Sequence, residues 1–308
     1  LLYKLLQCQM TERLSILFDK VLSQKAKHKG ERMVLYIAIL SFLVHLTIIY
    51  LSKFGIIKGF KDSALLSGPI AAIYTPFSFI LVYEVYLLIY YLPKSITTYI
   101  RKQYEIITLI VIRRIFKDLA NLELSSDWFE IKYDLQFTYD IIASIILFGI
   151  LYLFHSRSRL TIASDKSPKQ YEKINRFIIF KKSLAFVLVP ILIALASYTF
   201  GTWIIDKLST ETLGYYFKDI NDVFFDEFFT LLIIVDVILL LVSFFHTDEF
   251  HKVIRNSGFI ISTILIRLSF SVDGLINTVL IVAAVLFGLI ILMIYNQYES
   301  NRSKLNLE

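Results

Sequence analysis

Apolar residues in this chain come mostly in long runs, not in the two-residue or three-to-four-residue steps of half-buried strands and surface helices. Six runs, at 33–52, 70–92, 137–154, 183–205, 228–245 and 275–295, are about as long as the roughly 20 residues a helix needs to cross a 30 Å hydrocarbon core. Two further stretches carry charge. One is 99–119, with Glu105, Arg113 and Arg114, and the other is 256–272, with Arg267.

The connecting segments decide between seven and eight crossings. Residues 155–182 carry Arg157, Arg159, Lys166, Lys169, Lys173, Arg176, Lys181 and Lys182, and residues 1–32 are also rich in Lys and Arg. Residues 118–136 hold Asp118, Glu123, Asp127, Glu130 and Asp134 against Lys132 alone, and 206–227 hold six acids and two lysines. Short Lys/Arg-rich segments stay on the cytoplasmic side, so the N-terminus and 155–182 share a face. An even number of crossings must separate them, which makes 99–119 a span. With 256–272 spanning as well, the expected fold is an all-α polytopic membrane protein of about eight transmembrane helices with both termini cytoplasmic. The basic 53–63 segment is the exception to the charge rule. A seven-span alternative lays 99–119 on the membrane surface.

The chain is also internally similar. Ile100-Arg101 and the run Ile106 to Phe116, with Arg113, match Ile254-Arg255 and the run Ile260 to Phe270, with Arg267. Phe77 to Glu84-Val85 matches Phe229 to Asp236-Val237, and Leu147-Phe148-Gly149 matches Leu286-Phe287-Gly288. Aliphatic coincidences are cheap here, but arginine on arginine, acid on acid and Phe-Gly on Phe-Gly in one order are not. Two four-helix repeats of like orientation follow, related by an axis along the membrane normal. The expected organisation is a basic amphipathic segment at 1–32, a first membrane repeat at 33–154, a basic linker at 155–182, a second repeat at 183–296 and a short tail at 297–308.

Ionisable groups at bilayer depth are costly and normally face a partner or a wet cavity. Each half places an acid in its second helix (Glu84, Asp236) and an arginine in its third (Arg113, Arg267), so acid–arginine pairing within each half is expected. Such pairs either tie helices together or line an ion pathway. Voltage sensing needs several gating arginines at every third position, and neither half has them. Arg114, His45 and Glu105 form a second tier of candidates. His45 is expected to hydrogen-bond a neighbouring helix, and Glu105 to complement the positive end of its own helix. Pro69 and Pro76 bracket the start of the second helix, and Pro190 lies within the fifth.

Composition agrees: 56% hydrophobic residues, 19% charged, and mean hydropathy +0.65. One cysteine, Cys8, excludes a disulfide framework and a cysteine zinc site. His246 and His251 stand five apart, off the four-residue spacing that puts two zinc-binding histidines on one helix face. No metal is expected there, and no cofactor elsewhere. Phosphate-cradling loops and nucleophile elbows are missing from the sequence, so no enzyme is expected, and an intramembrane enzyme ranks third among the readings. The net charge of +6 falls in loops between apolar runs, which argues for membrane lipids and against nucleic acid. Arg157, Arg159, Lys173, Arg176, Lys181 and Lys182 are expected to meet anionic headgroups or a cytoplasmic protein partner. Leu14, Leu17, Phe18, Val21 and Leu22 read as one face of an amphipathic helix, and Met10 as a candidate natural start. The leading expectation is a channel or ion transporter of the cell (inner) membrane, with inorganic ions as ligands and a homo-oligomer as one possible state. The alternative is a non-transporting scaffold or sensor subunit.

Overall fold

The computed structural model describes residues 22–55, 69–119, 132–158, 168–209, 217–245, 249–272 and 274–305. Among them there is no strand, and the helices number eight: α1 (Gln24–Lys53), α2 (Tyr74–Tyr91), α3 (Ile96–Leu119), α4 (Lys132–Ser158), α5 (Pro168–Ser209), α6 (Phe217–Phe244), α7 (Phe250–Ser269) and α8 (Leu275–Leu305). Each falls on one of the eight stretches read from the sequence. Four helical segments are long and apolar enough to cross a membrane: Gln24–Lys53, Asp134–Ser158, Asn175–Leu195 and Leu275–Arg302. Shorter apolar segments lie at Thr75–Tyr91 and Phe228–Phe244. The N-terminal amphipathic segment lies outside the described residues up to Val21.

Local chemistry sets several helix ends. The Ala26 amide donates to Ser23 Oγ at 3.1 Å, capping α1. A 3₁₀ turn, Pro69–Ile73, precedes α2, and Pro76 sits in the first turn of that helix, where its missing amide costs nothing. Gly274, at φ +74°, reverses the chain between α7 and α8. Two boundaries differ from expectation. α5 begins at Pro168, so the later part of the 155–182 linker is helical. α8 runs on to Leu305, so the tail after 296 continues that helix.

The chain divides into two compact units. The first takes residues 1–90, 119–121 and 182–229; the second takes 91–118, 122–181 and 230–308. Neither coincides with a sequence half. In the first unit α1 packs on the 3₁₀ turn, and His45 Nδ1 is hydrogen-bonded to Thr75 Oγ1 in the first turn of α2. Most of the apolar surface of α1, including Leu40 and Leu43, stays exposed, as expected of a helix sheathed by lipid.

The second unit is organised by α7 and α8. α7 is inverted relative to a helix of a water-soluble protein. Its covered face holds Asn256, Ser262, Thr263 and Arg267 with Phe259, Ile260 and Ile266, while Ile254, Ile261, Leu265 and Leu268 point outward. Gly258 lets α8 approach, because a Cβ there would crowd Ile291 at 2.8–3.0 Å. α4 lies beside α8 and runs the same way. Thr278 Oγ1 donates to Asp140 Oδ1 at 3.1 Å, and Asn296 Nδ2 donates to the Arg157 carbonyl at 2.9 Å. These two links join residues 138 and 139 positions apart, about 25 Å from one another along the helices.

Candidate functional site: two buried acid–arginine networks

Two charged networks occupy the second unit, and α3 contributes to both. The first lies among α3, α6 and α7. Arg267, in the last turn of α7, brings Nη1 to 2.8 Å from Asp236 Oδ2 of α6, and its Nη2 donates to Gln103 Oε1 of α3 at 3.1 Å. The Tyr99 hydroxyl donates to Asp236 Oδ1 at 3.0 Å, and Thr263 Oγ1 donates to Oδ2 at 3.2 Å. Asp236 is fully buried and Arg267 is 5% exposed. The carboxylate therefore has a partner on every side it offers. Gln103 does not: its Nε2 is buried with no hydrogen-bond acceptor.

The second network lies among α3, α4 and α8. Arg114 grips Asp140 with both Nε and Nη2, the latter at 2.6 Å from Oδ1. Its Nη1 donates to Asn277 Oδ1 at 2.7 Å. Asn277 in turn donates to the Ser269 carbonyl at 2.6 Å, which ties the end of α7 into the set. Thr278 and Gln136 both bond Asp140 Oδ1, and Asp140 is fully buried. The two-pronged grip suits arginine, whose planar fork matches a carboxylate. Between the two networks the Tyr104 hydroxyl meets Ser262 Oγ at 2.7 Å, and Ser262 donates to the Ala284 carbonyl at 2.6 Å.

The expected residues are distributed as follows. Asp236 and Arg267 are brought together. Glu84, 4% exposed, belongs to the first compact unit and Arg113 to the second. Arg114, of the second tier, holds a buried acid, Asp140. Glu105 stands beyond the first turn of α3 and pairs with Lys102 and Arg101 of the preceding turn, so it does not serve the helix N-terminus. Of the basic set, Arg157 and Arg176 are exposed and Lys182 is half-buried. Arg159 lies outside the described residues, and Lys173 lies on α5. Lys181 corrects the expectation of a headgroup contact. It is 2% exposed, and its ammonium donates to the Lys94 carbonyl at 2.6 Å beside the Phe177 ring.

Asp140, Gln103, Tyr99, Asn277 and Thr278 were not among the expected residues. Asp140 had a signal, since it is an acid inside the apolar run 137–154. The neutral residues had none beyond being polar in a membrane-length helix. No protein-family model matches this sequence, and neither a curated protein nor a solved structure matches it.

Proposed function

We propose that the chain is a multi-pass protein of the cell (inner) membrane, with eight crossings in two parallel four-helix repeats and both termini cytoplasmic. On this reading it forms or contributes to a pathway for ions. The parallel packing of α4 on α8 supports the repeat. An axis along the membrane normal sets equivalent residues side by side at equal depth. The 138- and 139-residue links match the 139-residue spacing of Leu147-Phe148-Gly149 from Leu286-Phe287-Gly288. The outward-facing aliphatics of α7 support its being a span despite Arg267.

The observation that carries the ion-pathway reading is the divided attachment of Arg267. One guanidinium nitrogen lies on Asp236 and another on the neutral amide of Gln103, whose own Nε2 lacks an acceptor. A buried pair without full satisfaction is costly at bilayer depth, and the cost falls if an ion or water enters or if the arginine changes partner. Exchange of acid–arginine partners, biased by voltage or by an ion, is the proposed gating step. The test is current across a planar bilayer containing the purified full chain, under asymmetric salt. Discrete conductance that falls in Asp236→Asn and Arg267→Gln is expected. Unaltered conductance in both variants, with folding intact, overturns the role of the pair.

The scaffold reading is favoured by one observation, the complete burial of Asp236 and Asp140. Dry pairs can be ties alone. In a Cys8→Ser background, Val235→Cys and Ile266→Cys separate the readings. Reaction with a polar thiol reagent indicates water at the pair, and silence together with a silent bilayer favours a scaffold that recruits partners or anionic lipids.

A further inference from the structure

We propose that Glu249, His251 and Glu299 form a binding site for a first-row divalent cation, Zn²⁺ or Mn²⁺, where α7 begins and α8 ends. The sequence argues against a His246–His251 pair on spacing, and in the structure His251 takes different partners. α7 starts at Phe250 with Glu249 at its N-cap, so His251 lies in the first helical turn and not in a loop. The continuation of α8 past residue 296 brings Glu299 to it from the other side.

The geometry fits one ion. His251 Nε2 is 2.8 Å from Glu299 Oε1 and 3.3 Å from Glu249 Oε2, and the three ligand atoms all lie within 4.8 Å of one another. Metal–ligand bonds of about 2.0–2.2 Å, set at tetrahedral or octahedral angles, place neighbouring ligand atoms roughly 3.0–3.5 Å apart. Only a small closure of the two carboxylates is needed. One imidazole nitrogen with two carboxylate oxygens suits Zn²⁺ or Mn²⁺; Ca²⁺ and Mg²⁺ prefer all-oxygen sets.

The surroundings hold the ligands in place. The His251 ring stacks on Tyr298 at 4.7 Å and on Tyr295 at 5.8 Å between centroids. The Tyr295 hydroxyl donates to Glu299 Oε1 at 3.1 Å, and Arg255 lies over the Tyr295 ring at 4.3 Å. Lys252 and Arg302 donate to the two oxygens of Glu249 at 2.8 and 2.7 Å, as outer partners of a ligating carboxylate do. Their charges compete with a cation. Arg302 is half-exposed, so water screens its pairing, and an ion bound to three ligands outcompetes it. The histidine is nearly buried while both carboxylates reach solvent, which leaves an entry route.

The experiment titrates the full chain in nanodiscs with Co²⁺, Zn²⁺ or Mn²⁺, following the Co²⁺ visible bands and the heats of Zn²⁺ and Mn²⁺ binding. One saturable equivalent per chain is expected. His251→Ala and Glu299→Gln should weaken it by more than about tenfold. Arg302→Gln should bind as tightly or more tightly, because a competitor is gone. The assignment fails if no saturable binding occurs, if His251→Ala and Glu299→Gln leave binding unchanged, or if Arg302→Gln abolishes it.

Discussion

The hydroxyl of Tyr104 occupies the space that a Cβ on Gly288 would need. α3 and α8 meet there, and Ser262 Oγ stands 3.1 Å from the same point. Gly288 is thus fixed by close approach and not by backbone angle. Replacement by alanine must push Tyr104 off Ser262 and out of its edge-on contact with Phe154, at 5.2 Å between centroids.

Gly288→Ala should therefore lower stability by about 1–3 kcal/mol, the usual range for overpacking, and more if the Ser262 bond is lost. Gly149, which the sequence match of Leu147-Phe148-Gly149 with Leu286-Phe287-Gly288 sets against it, is the control. A Cβ there meets nothing within 4 Å, so Gly149→Ala should be neutral or stabilise by up to about 1 kcal/mol through helix propensity. Thermal melting of the two variants in one detergent checks the contrast. Equal effects would show that the Tyr104 contact is not the reason.

Removing either partner of the Asp236–Arg267 pair strands a buried charge. Asp236→Leu or Arg267→Met alone should cost about 3–5 kcal/mol, and the double replacement should cost clearly less than the two together. A double-mutant cycle read by denaturant unfolding measures the coupling. Simple additivity would mean that the 2.8 Å pair contributes nothing specific.

Arg114→Lys tests the fork. Lysine keeps the charge but reaches Asp140 at one point and gives up the bond to Asn277, so a loss of about 1–3 kcal/mol is expected. Asn277→Ala should cost less in Arg114→Lys than in the wild-type chain, because the shared bond is already gone, while its bond to the Ser269 carbonyl is lost in both. Melting temperatures of the three variants decide it.

The acid limb of stability should depend on Glu249. Partial burial raises its carboxyl, but the hydrogen bonds and charges of Lys252 and Arg302 outweigh that and hold it below the usual carboxylate value. A depressed folded-state value means that the contribution is complete above the ordinary glutamate pKa and is lost as pH falls through the lowered one. Melting between pH 7 and pH 3 should fall less steeply in Glu249→Gln than in wild type over the acid range. Identical slopes would show that the pairing contributes nothing.

Helix positions were legible in the sequence because a bilayer-length apolar run has few alternatives. The Asp236–Arg267 pair was legible for a related reason: a charge in such a run needs a partner, and successive helices supply one. Arg113 and Arg114 were harder. They are adjacent, about 100° apart around the helix, and only packing decides which one turns toward α4. Asp140 was hidden three residues into its run, where an acid passes for an interfacial residue. His251 and Glu299 carry no sequence sign of their meeting, because the apolar run that marks α8 ends at Tyr295 while the helix continues to Leu305. The Tyr104–Gly288 contact leaves no mark in residue type at all.

The inverted polarity of α7 has a consequence for how the chain is made. A segment that carries Asn256, Ser262, Thr263 and Arg267 along one side gains little by leaving the translocon alone. Its covering helix, α8, follows after only a short turn at Gly274. On the proposed eight-crossing topology the two are best delivered to lipid together, as a hairpin held back until its second arm has been synthesised. Insertion of α7 would then wait on the synthesis of α8.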